Sequence, residues 1–119
     1  MRGEGDSERY FADIGVRPCG NLFETASVLG RVLLIEFFED KSGRFEEFPC
    51  FIAEGQGLTY ALLGVPDLEY DLRDGRVTDF ELVVRSNNWS LHSKSKVDIS
   101  EGIVFKVNSV IGKVCWVLS

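Results

Sequence analysis

The sequence has few residues that could bind a metal ion. Its three cysteines, Cys19, Cys50 and Cys115, are widely spaced, and His92 is the only histidine. A structural zinc site takes four ligands, so a site of three cysteines and one histidine would use every candidate. Cys50 and Cys115 lie among large hydrophobic residues, where a reduced cysteine behaves as a small core residue. We therefore expect no metal and no cofactor.

The sequence also lacks long apolar runs and internal boundaries. No uninterrupted run approaches the roughly 20 apolar residues that span a bilayer, and the first ten residues contain no apolar segment typical of a secretory signal. We expect a cytoplasmic protein with no membrane partner. No phosphate-binding glycine motif, linker or repeat is present. This pattern predicts a single globular domain over 1–119, frayed at 1–6.

The composition is that of a folded, acidic protein. Hydrophobic residues make up 45% of the chain and charged residues 27%, close to globular averages. The net charge of −6 is unevenly spread: residues 1–81 hold 17 acidic and 8 basic residues, a charge of −9, whereas residues 82–119 hold 2 and 5, a charge of +3. An acidic excess disfavours nucleic acid and favours a basic partner.

Two helices are predicted in the first 30 residues. Asp6 or Ser7 can cap a short helix that runs through Ile14 and ends at Gly15. Asn21 and Glu24 have the spacing of a capping box and predict a second helix that ends at Gly30. The apolar positions of the second helix share one face; they are Leu22, Phe23, Ala26 and Leu29.

Strands are predicted from residue 31 onwards. Residues 31–38 are rich in β-branched and aromatic side chains and predict a central strand, paired with a strand over 45–53 that is at an edge or bulged at Pro49. Residues 58–63 predict a short helix ended by Gly64, with a strand as the alternative.

The second half of the chain predicts further strands. Residues 68–84 indicate a hairpin with the three-residue loop 73–75. A short strand is possible at 89–93, and 102–109 and 113–119 are interpreted as the last two strands, the final one inside the sheet. The predicted fold class is α+β: an antiparallel sheet of about six strands with two or three short helices packed on one face.

No group of residues makes a convincing catalytic or metal site. His92 has serines beside it, but a nucleophile, base and orienting carboxylate must converge in space, and a surface histidine is the simpler interpretation. Asp67, Glu69 and Asp71 alternate as on one strand face, which is more often a solvated face than a cation site. The basic stretch from Arg85 to Lys96 holds a single aromatic residue, which is weak for single-stranded nucleic acid. We expect a protein that is not an enzyme.

The remaining feature is negative charge beside aromatic residues on two predicted hairpins. This composition suits a protein-binding surface that steers a basic partner. The predicted partner-binding residues are Glu36, Glu39, Asp40, Phe45, Glu46, Glu47, Glu69, Asp71, Asp74 and Asp79.

In size, charge and lack of catalytic residues the chain is similar to small bacterial immunity proteins and antitoxins. We therefore expect an inhibitor, monomeric or weakly dimeric, that covers the active site of a basic, nuclease-type toxin. Two alternatives stay open. One is a ligand-binding domain or enzyme with a pocket between helices and sheet, for which His92, Tyr70 and Cys50 are the residues to test. The other is a subunit of a larger assembly that uses the edge of 48–52 for strand addition.

Overall fold

The residues that the structure describes form a seven-stranded sheet with two helices packed against it. The computed structural model describes residues 9–41, 49–64, 79–87 and 95–118. In chain order the elements of these residues are β1 (Arg9–Val16), α1 (Leu22–Leu33), β2 (Phe38–Glu39), β3 (Cys50–Gly55), β4 (Leu58–Leu63), β5 (Phe80–Ser86), β6 (Lys96–Asp98), α2 (Ser100–Ile111) and β7 (Cys115–Val117).

The strands follow the order β2-β3-β4-β5-β1-β6, and β7 pairs with β1 on the same edge as β6. Every neighbouring pair is antiparallel except β1 and β6, which are parallel. Helix α2 connects β6 to β7, so both short strands extend along one edge of β1. The predicted α+β class with an antiparallel sheet is confirmed. None of the helices in the described part is long and apolar enough to cross a membrane.

The predicted first helix is wrong, because residues 9–16 form β1, an inner strand of the sheet. Ala12, Ile14 and Val16 alternate along it and are fully buried, which is the period of two of a strand. Gly15 lies within the strand and faces away from that core. The segment has β5 on one side and β6 and β7 on the other, so backbone pairing on both edges stabilises the extended form.

The second helix is confirmed, including its capping box. The Asn21 side chain accepts a hydrogen bond from the Glu24 N–H, and the Glu24 carboxylate accepts one from the Asn21 N–H, both at 2.8 Å. The helix continues past Gly30 to Leu33, and Leu34 caps it in the left-handed region. The predicted strand over 31–38 is therefore mostly wrong. Val32 and Leu33 continue the apolar face of α1 and pack on the core. Only Phe38–Glu39 forms a strand.

Strands β2, β3 and β4 pair consecutively. Phe38 lies opposite Ile52 and Glu39 opposite Phe51, so the predicted pairing of these two segments is confirmed for the described residues; 42–48 lie outside them. Pro49 precedes β3, which has β2 and β4 as neighbours, so the predicted edge position of this strand is wrong. The predicted helix over 58–63 is wrong and the strand alternative is right. Gln56 and Gly57 both have positive φ, which is the tight turn that lets β4 pair with β3.

The C-terminal region differs most from expectation. Residues 100–111 form α2 rather than a strand, because Ile103, Val107 and Ile111 recur at helical spacing and face the core. Strand β7 is confirmed, but its predicted position inside the sheet is wrong. In the described part it pairs only with β1, and Trp116 is 36% exposed. The predicted arm 68–72 and the possible strand 89–93 lie outside the described residues.

The main core lies between the sheet and the two helices. Buried residues of β1, β4 and β5 pack there against Ala26 and Leu29 of α1 and Val107 of α2. A smaller cluster on the opposite face of β3, β4 and β5 contains Cys50, Ala61 and Leu63. Cys50 and Cys115 are buried, as predicted, and Cys19 is half-buried.

Candidate functional site

Both acidic segments are joined to the described fold at one end of the sheet. Lys41 and Pro49 flank residues 42–48, and Gly64 and Asp79 flank residues 65–78. The Gly64 N–H donates a hydrogen bond to the Pro49 carbonyl at 2.7 Å, and the Asp40 N–H donates to the Cys50 carbonyl at 2.9 Å. The ends of the two segments are thus tied to each other by the β3–β4 ladder. We call this end of the sheet, marked by Asp40, Pro49, Gly64 and Asp79, the acidic end.

The negative charge of the chain is concentrated in the stretches that meet there. Residues 36–48 hold five acidic and two basic residues, a charge of −3, and residues 65–81 hold six and two, a charge of −4. The rest of the chain holds eight acidic and nine basic residues, a charge of +1. Arg17, which follows β1 at this end, belongs to that remainder. The whole net charge of −6 therefore comes from these two stretches.

Four of the ten predicted partner-binding residues are in the described part. Glu36 and Glu39 are exposed along the outer edge of the sheet, and Asp40 follows them at the acidic end. Asp79 precedes β5, three strands away from β2, or about 14 Å at the usual strand spacing. The structure therefore brings Glu36, Glu39 and Asp40 together on one edge and places Asp79 at the same end. The other six lie outside the described residues; they are Phe45, Glu46, Glu47, Glu69, Asp71 and Asp74.

Several basic residues lie at the opposite end of the sheet. Arg9 is opposite Lys96 in the β1–β6 pair, and Phe11 is opposite Arg85 in the β1–β5 pair. The Arg85 guanidinium contacts Asp13 Oδ1 at 3.3 Å and lies 5.9 Å from the centre of the Phe11 ring. Six residues of extended chain, about 20 Å, separate Arg85 from Asp79. This exceeds the Debye length of about 8 Å at physiological salt, so these basic residues do not cancel the field of the acidic end.

A cleft opens between α1 and the outer strands of the sheet. Its volume is about 360 Å³, within the range of small-molecule and side-chain pockets. Three phenylalanine rings contribute to its walls: Phe23 from α1, Phe51 from β3, and Phe37 from the segment before β2. The Phe23 and Phe51 ring centroids are 6.1 Å apart at an angle of 53°. Phe23, expected on the buried helix face, is 63% exposed. We call this site the aromatic cleft.

The polar groups of the aromatic cleft lie on two sides. Arg31 of α1 and Glu36 of the strand side line it and are both exposed. Ser27 also lines it, and its hydroxyl donates a hydrogen bond to the Phe23 carbonyl at 3.0 Å. Glu39 is directly opposite Phe51 in the β2–β3 pair. Opposed residues share one face of a sheet with Cβ atoms about 5 Å apart, so Glu39 projects beside the Phe51 wall.

The residues suggested for the alternative functions do not meet at this cleft. Cys50 belongs to the cluster on the other face of the sheet, and Tyr70 and His92 lie outside the described residues. Phe51 and Ile52 have β2 on one side and β4 on the other, so the predicted free edge of 48–52 is wrong for these two residues. Of the basic stretch, Arg85 is held on the sheet by Asp13, Lys96 is exposed on β6, and 88–94 are outside the described part.

No described group of three or more His, Cys, Asp or Glu residues could hold a metal ion. Within the same part of the chain the pKa is clearly shifted for three groups, and none of them lines the aromatic cleft. Burial raises the pKa of the Tyr60 phenol and raises that of the Cys115 thiol to about 11. Hydrogen bonds from Ser100 lower the pKa of the exposed Asp98 carboxyl.

The acidic edge could be predicted from the sequence, but the residues that line the aromatic cleft could not. Its walls come from the exposed margin of α1 and from β3, which are adjacent only because β2 brings the chain back beside β3. One signal was available, since Arg31 is in the last turn of α1 and Glu36 and Phe37 closely follow that helix. Comparisons with protein-family models, curated proteins and solved structures give no match to this chain.

Proposed function

We propose that this chain is a small acidic inhibitor that binds a basic protein: an immunity protein or antitoxin that covers the active site of a nuclease-type toxin. The partner contacts the acidic end and the outer edge of β2. The observation that carries the proposal is the hydrogen bond between Gly64 and Pro49, which joins the anchors of both carboxylate-rich segments.

Two further observations support the same function. The basic residues Arg9, Arg85 and Lys96 lie at the far end of the sheet, so an approaching basic protein is attracted to one end of the molecule. The two segments are also rich in carboxylates, and negative charge is what a nuclease active site, which binds a phosphate backbone, attracts. Electrostatic complementarity of this kind mainly raises the association rate and the specificity.

The test is a capture experiment with a matched charge control. The immobilised protein is exposed to lysate of its own source and washed at about 50 mM and then about 500 mM salt, which bracket weak and strong screening. We expect one basic protein to be retained at both. The double variant Glu39→Lys with Glu47→Lys should slow association with that protein by at least about tenfold.

The control variant makes the same change in net charge elsewhere. Glu54→Lys with Glu101→Lys places four units of positive change at exposed positions of β3 and α2, away from the acidic end. We expect it to keep most of the association rate. Equal effects of the two double variants would mean that only net charge matters and would contradict a specific surface at the acidic end.

A second candidate function follows from the aromatic cleft, which has the volume and apolar lining of a small-molecule site. Under this alternative the cleft holds a metabolite and the acidic residues serve solubility. A thermal-shift screen with small aromatic and aliphatic molecules tests it, because a ligand that binds only the native state raises the melting temperature. A hit that is lost in Ser27→Leu would favour this alternative.

A further inference from the structure

The aromatic cleft combines three aromatic walls with carboxylates along one side. Glu36 lines it, and Glu39 projects beside Phe51 because the two residues are opposed in the β2–β3 pair. Both carboxylates are on the strand side, and Arg31 is on the helix side. The charge around the opening is therefore −1, with the negative side formed by an exposed sheet edge.

We infer that the aromatic cleft receives an arginine side chain of the basic partner; this inference rests on the proposed function. A guanidinium stacks on aromatic rings, pairs with carboxylates through its planar fork and is only weakly hydrated, which makes arginine the cation best suited to such a site. Its aliphatic stem packs on apolar walls while the charged group stays near solvent. Arginine is also enriched among the residues that contribute most to interface energy.

The protein itself contains an example of this arrangement. On the sheet face away from the helices, the Arg85 guanidinium lies 5.9 Å from the Phe11 ring centre and 3.3 Å from Asp13 Oδ1. The Phe11 ring and the Asp13 carboxylate thus hold a guanidinium on this sheet, together with the Ala12 and Val84 carbonyls, which accept hydrogen bonds from Arg85 Nη1. The aromatic cleft has three such rings and two carboxylates. Where the Arg85 site holds its guanidinium, the cleft has open volume.

The charges around the cleft allow a test, because changing them should affect a cationic and an anionic occupant in opposite ways. A cationic occupant is attracted by Glu36 and Glu39 and repelled by Arg31, whereas an anionic occupant would be affected in the opposite sense. The probe is the peptide acetyl-Gly-Gly-Arg-Gly-Gly-amide, compared with the same peptide containing citrulline, which has nearly the shape of arginine without its charge. Binding is followed through the amide signals of Ser27, Gly30 and Phe37 in two-dimensional NMR.

We expect the arginine peptide to shift these signals and the citrulline peptide to bind several-fold more weakly. Glu36→Gln and Glu39→Gln should each weaken the arginine peptide about two- to fivefold, and Arg31→Gln should strengthen it by a similar factor, as is usual for exposed charge pairs. Glu54→Gln, an exposed carboxylate outside the cleft lining, is the control and should change nothing. Weakening by Arg31→Gln, or equal binding of both peptides, would overturn the inference.

A steric pair of variants separates this inference from the proposed function. Ser27→Leu fills the cleft from α1, and Ser109→Leu makes the same change on the exposed side of α2, where the hydroxyl likewise bonds to a carbonyl of its own helix. We expect only Ser27→Leu to abolish peptide binding and to weaken the captured basic protein. Capture that depends on Glu39 and Glu47 but not on Ser27 would overturn the arginine site and keep the inhibitor function. Arginine binding without any captured basic protein would overturn the inhibitor function.

Discussion

The indole ring of Trp116 lies over the backbone of Gly15, in the space that a side chain at position 15 would occupy. The two residues are opposite each other in the antiparallel β1–β7 pair. Ile14 and Val16 face the core on the other side, so the ring covers the outer face of β1. Glycine at position 15 is what allows the edge strand β7 to cover β1 at this point.

Gly15→Ala should lower the free energy of unfolding by about 1–3 kcal/mol, because the new methyl group overlaps with the indole and forces it outward. Urea unfolding measures this loss. In a Trp89→Phe background Trp116 is the only indole, and its fluorescence emission should shift to longer wavelength as the ring becomes more exposed.

The matched change Gly102→Ala should have the opposite effect. Gly102 is in α2, and no neighbouring atom lies within 4 Å of a methyl group added there. Alanine in a helix is favoured over glycine by about 0.5–1 kcal/mol, so the variant should be slightly more stable. Equal losses for the two variants would contradict a specific clash with Trp116.

Asn108 fastens the end of α2 to β7. Its Nδ2 donates a hydrogen bond to the Cys115 carbonyl, and its Oδ1 accepts bonds from the N–H groups of Val114 and Cys115, each at 3.0 Å. Asn108→Ala should cost about 1–3 kcal/mol, because partly buried backbone groups lose their partners. Asn108→Asp keeps an acceptor for the Val114 and Cys115 N–H groups but loses the donor to the Cys115 carbonyl. Its loss of stability should therefore differ from that of Asn108→Ala.

Ser109→Ala is the control for this prediction. The Ser109 hydroxyl is exposed and donates to the Lys106 carbonyl at 3.0 Å, and its removal should change stability by less than about 0.5 kcal/mol. Chemical denaturation of the three variants in parallel gives the comparison. A loss for Asn108→Ala as small as that of Ser109→Ala would show that the bonds to β7 contribute little.

The parts of the fold that depend on local chemistry could be predicted from the sequence. The capping box of Asn21 and Glu24 was predictable because both partners lie within one helical turn. The apolar runs were not: residues 31–33 and 103–111 are helical and 58–63 form a strand, and short apolar runs fit either state until long-range pairing selects one. For 58–63 that pairing comes from the tight turn at Gln56 and Gly57.

The candidate site likewise has one part that could be predicted from local sequence and one part that depends on long-range packing. Glu36, Glu39 and Asp40 could be predicted, because charge on a strand edge is visible in the sequence. The aromatic cleft could not, since Phe23 and Phe51 are 28 positions apart in the chain and meet only through the packing of α1 on β3. Phe23 was predicted on the buried helix face and is 63% exposed.

The capping box of α1 also gives a simple stability prediction. Asn21→Ala removes the acceptor for the Glu24 N–H and should cost about 1 kcal/mol, whereas Asn21→Ser restores an acceptor and should recover most of it. Thermal unfolding followed by circular dichroism measures both. Equal losses for alanine and serine would mean that Asn21 acts through its backbone conformation and not through its side-chain oxygen.

The Cys115 thiol gives a prediction for alkaline pH. Burial, and secondarily the charge of Cys19, raise its pKa from 9.0 to about 11. A group whose pKa is higher in the folded state stabilises the fold below its unfolded pKa, and this contribution is lost as pH rises through the folded value. Stability should therefore fall between pH 9 and pH 11, as the unfolded chain ionises first.

Urea unfolding at about pH 8 and about pH 10.5 tests this for the wild type and Cys115→Ala; the wild type should lose about 1–2 kcal/mol more than the variant. The raised pKa of Tyr60 acts in the same direction, but Tyr60 is present in both proteins and cancels in the difference. Parallel losses in the two proteins would show that the thiol ionises as freely in the fold as in the unfolded chain. Strand β7 would then not hold Cys115 against Val16 in the core, and the same result would weaken the packing of Trp116 on Gly15, since one short strand positions both.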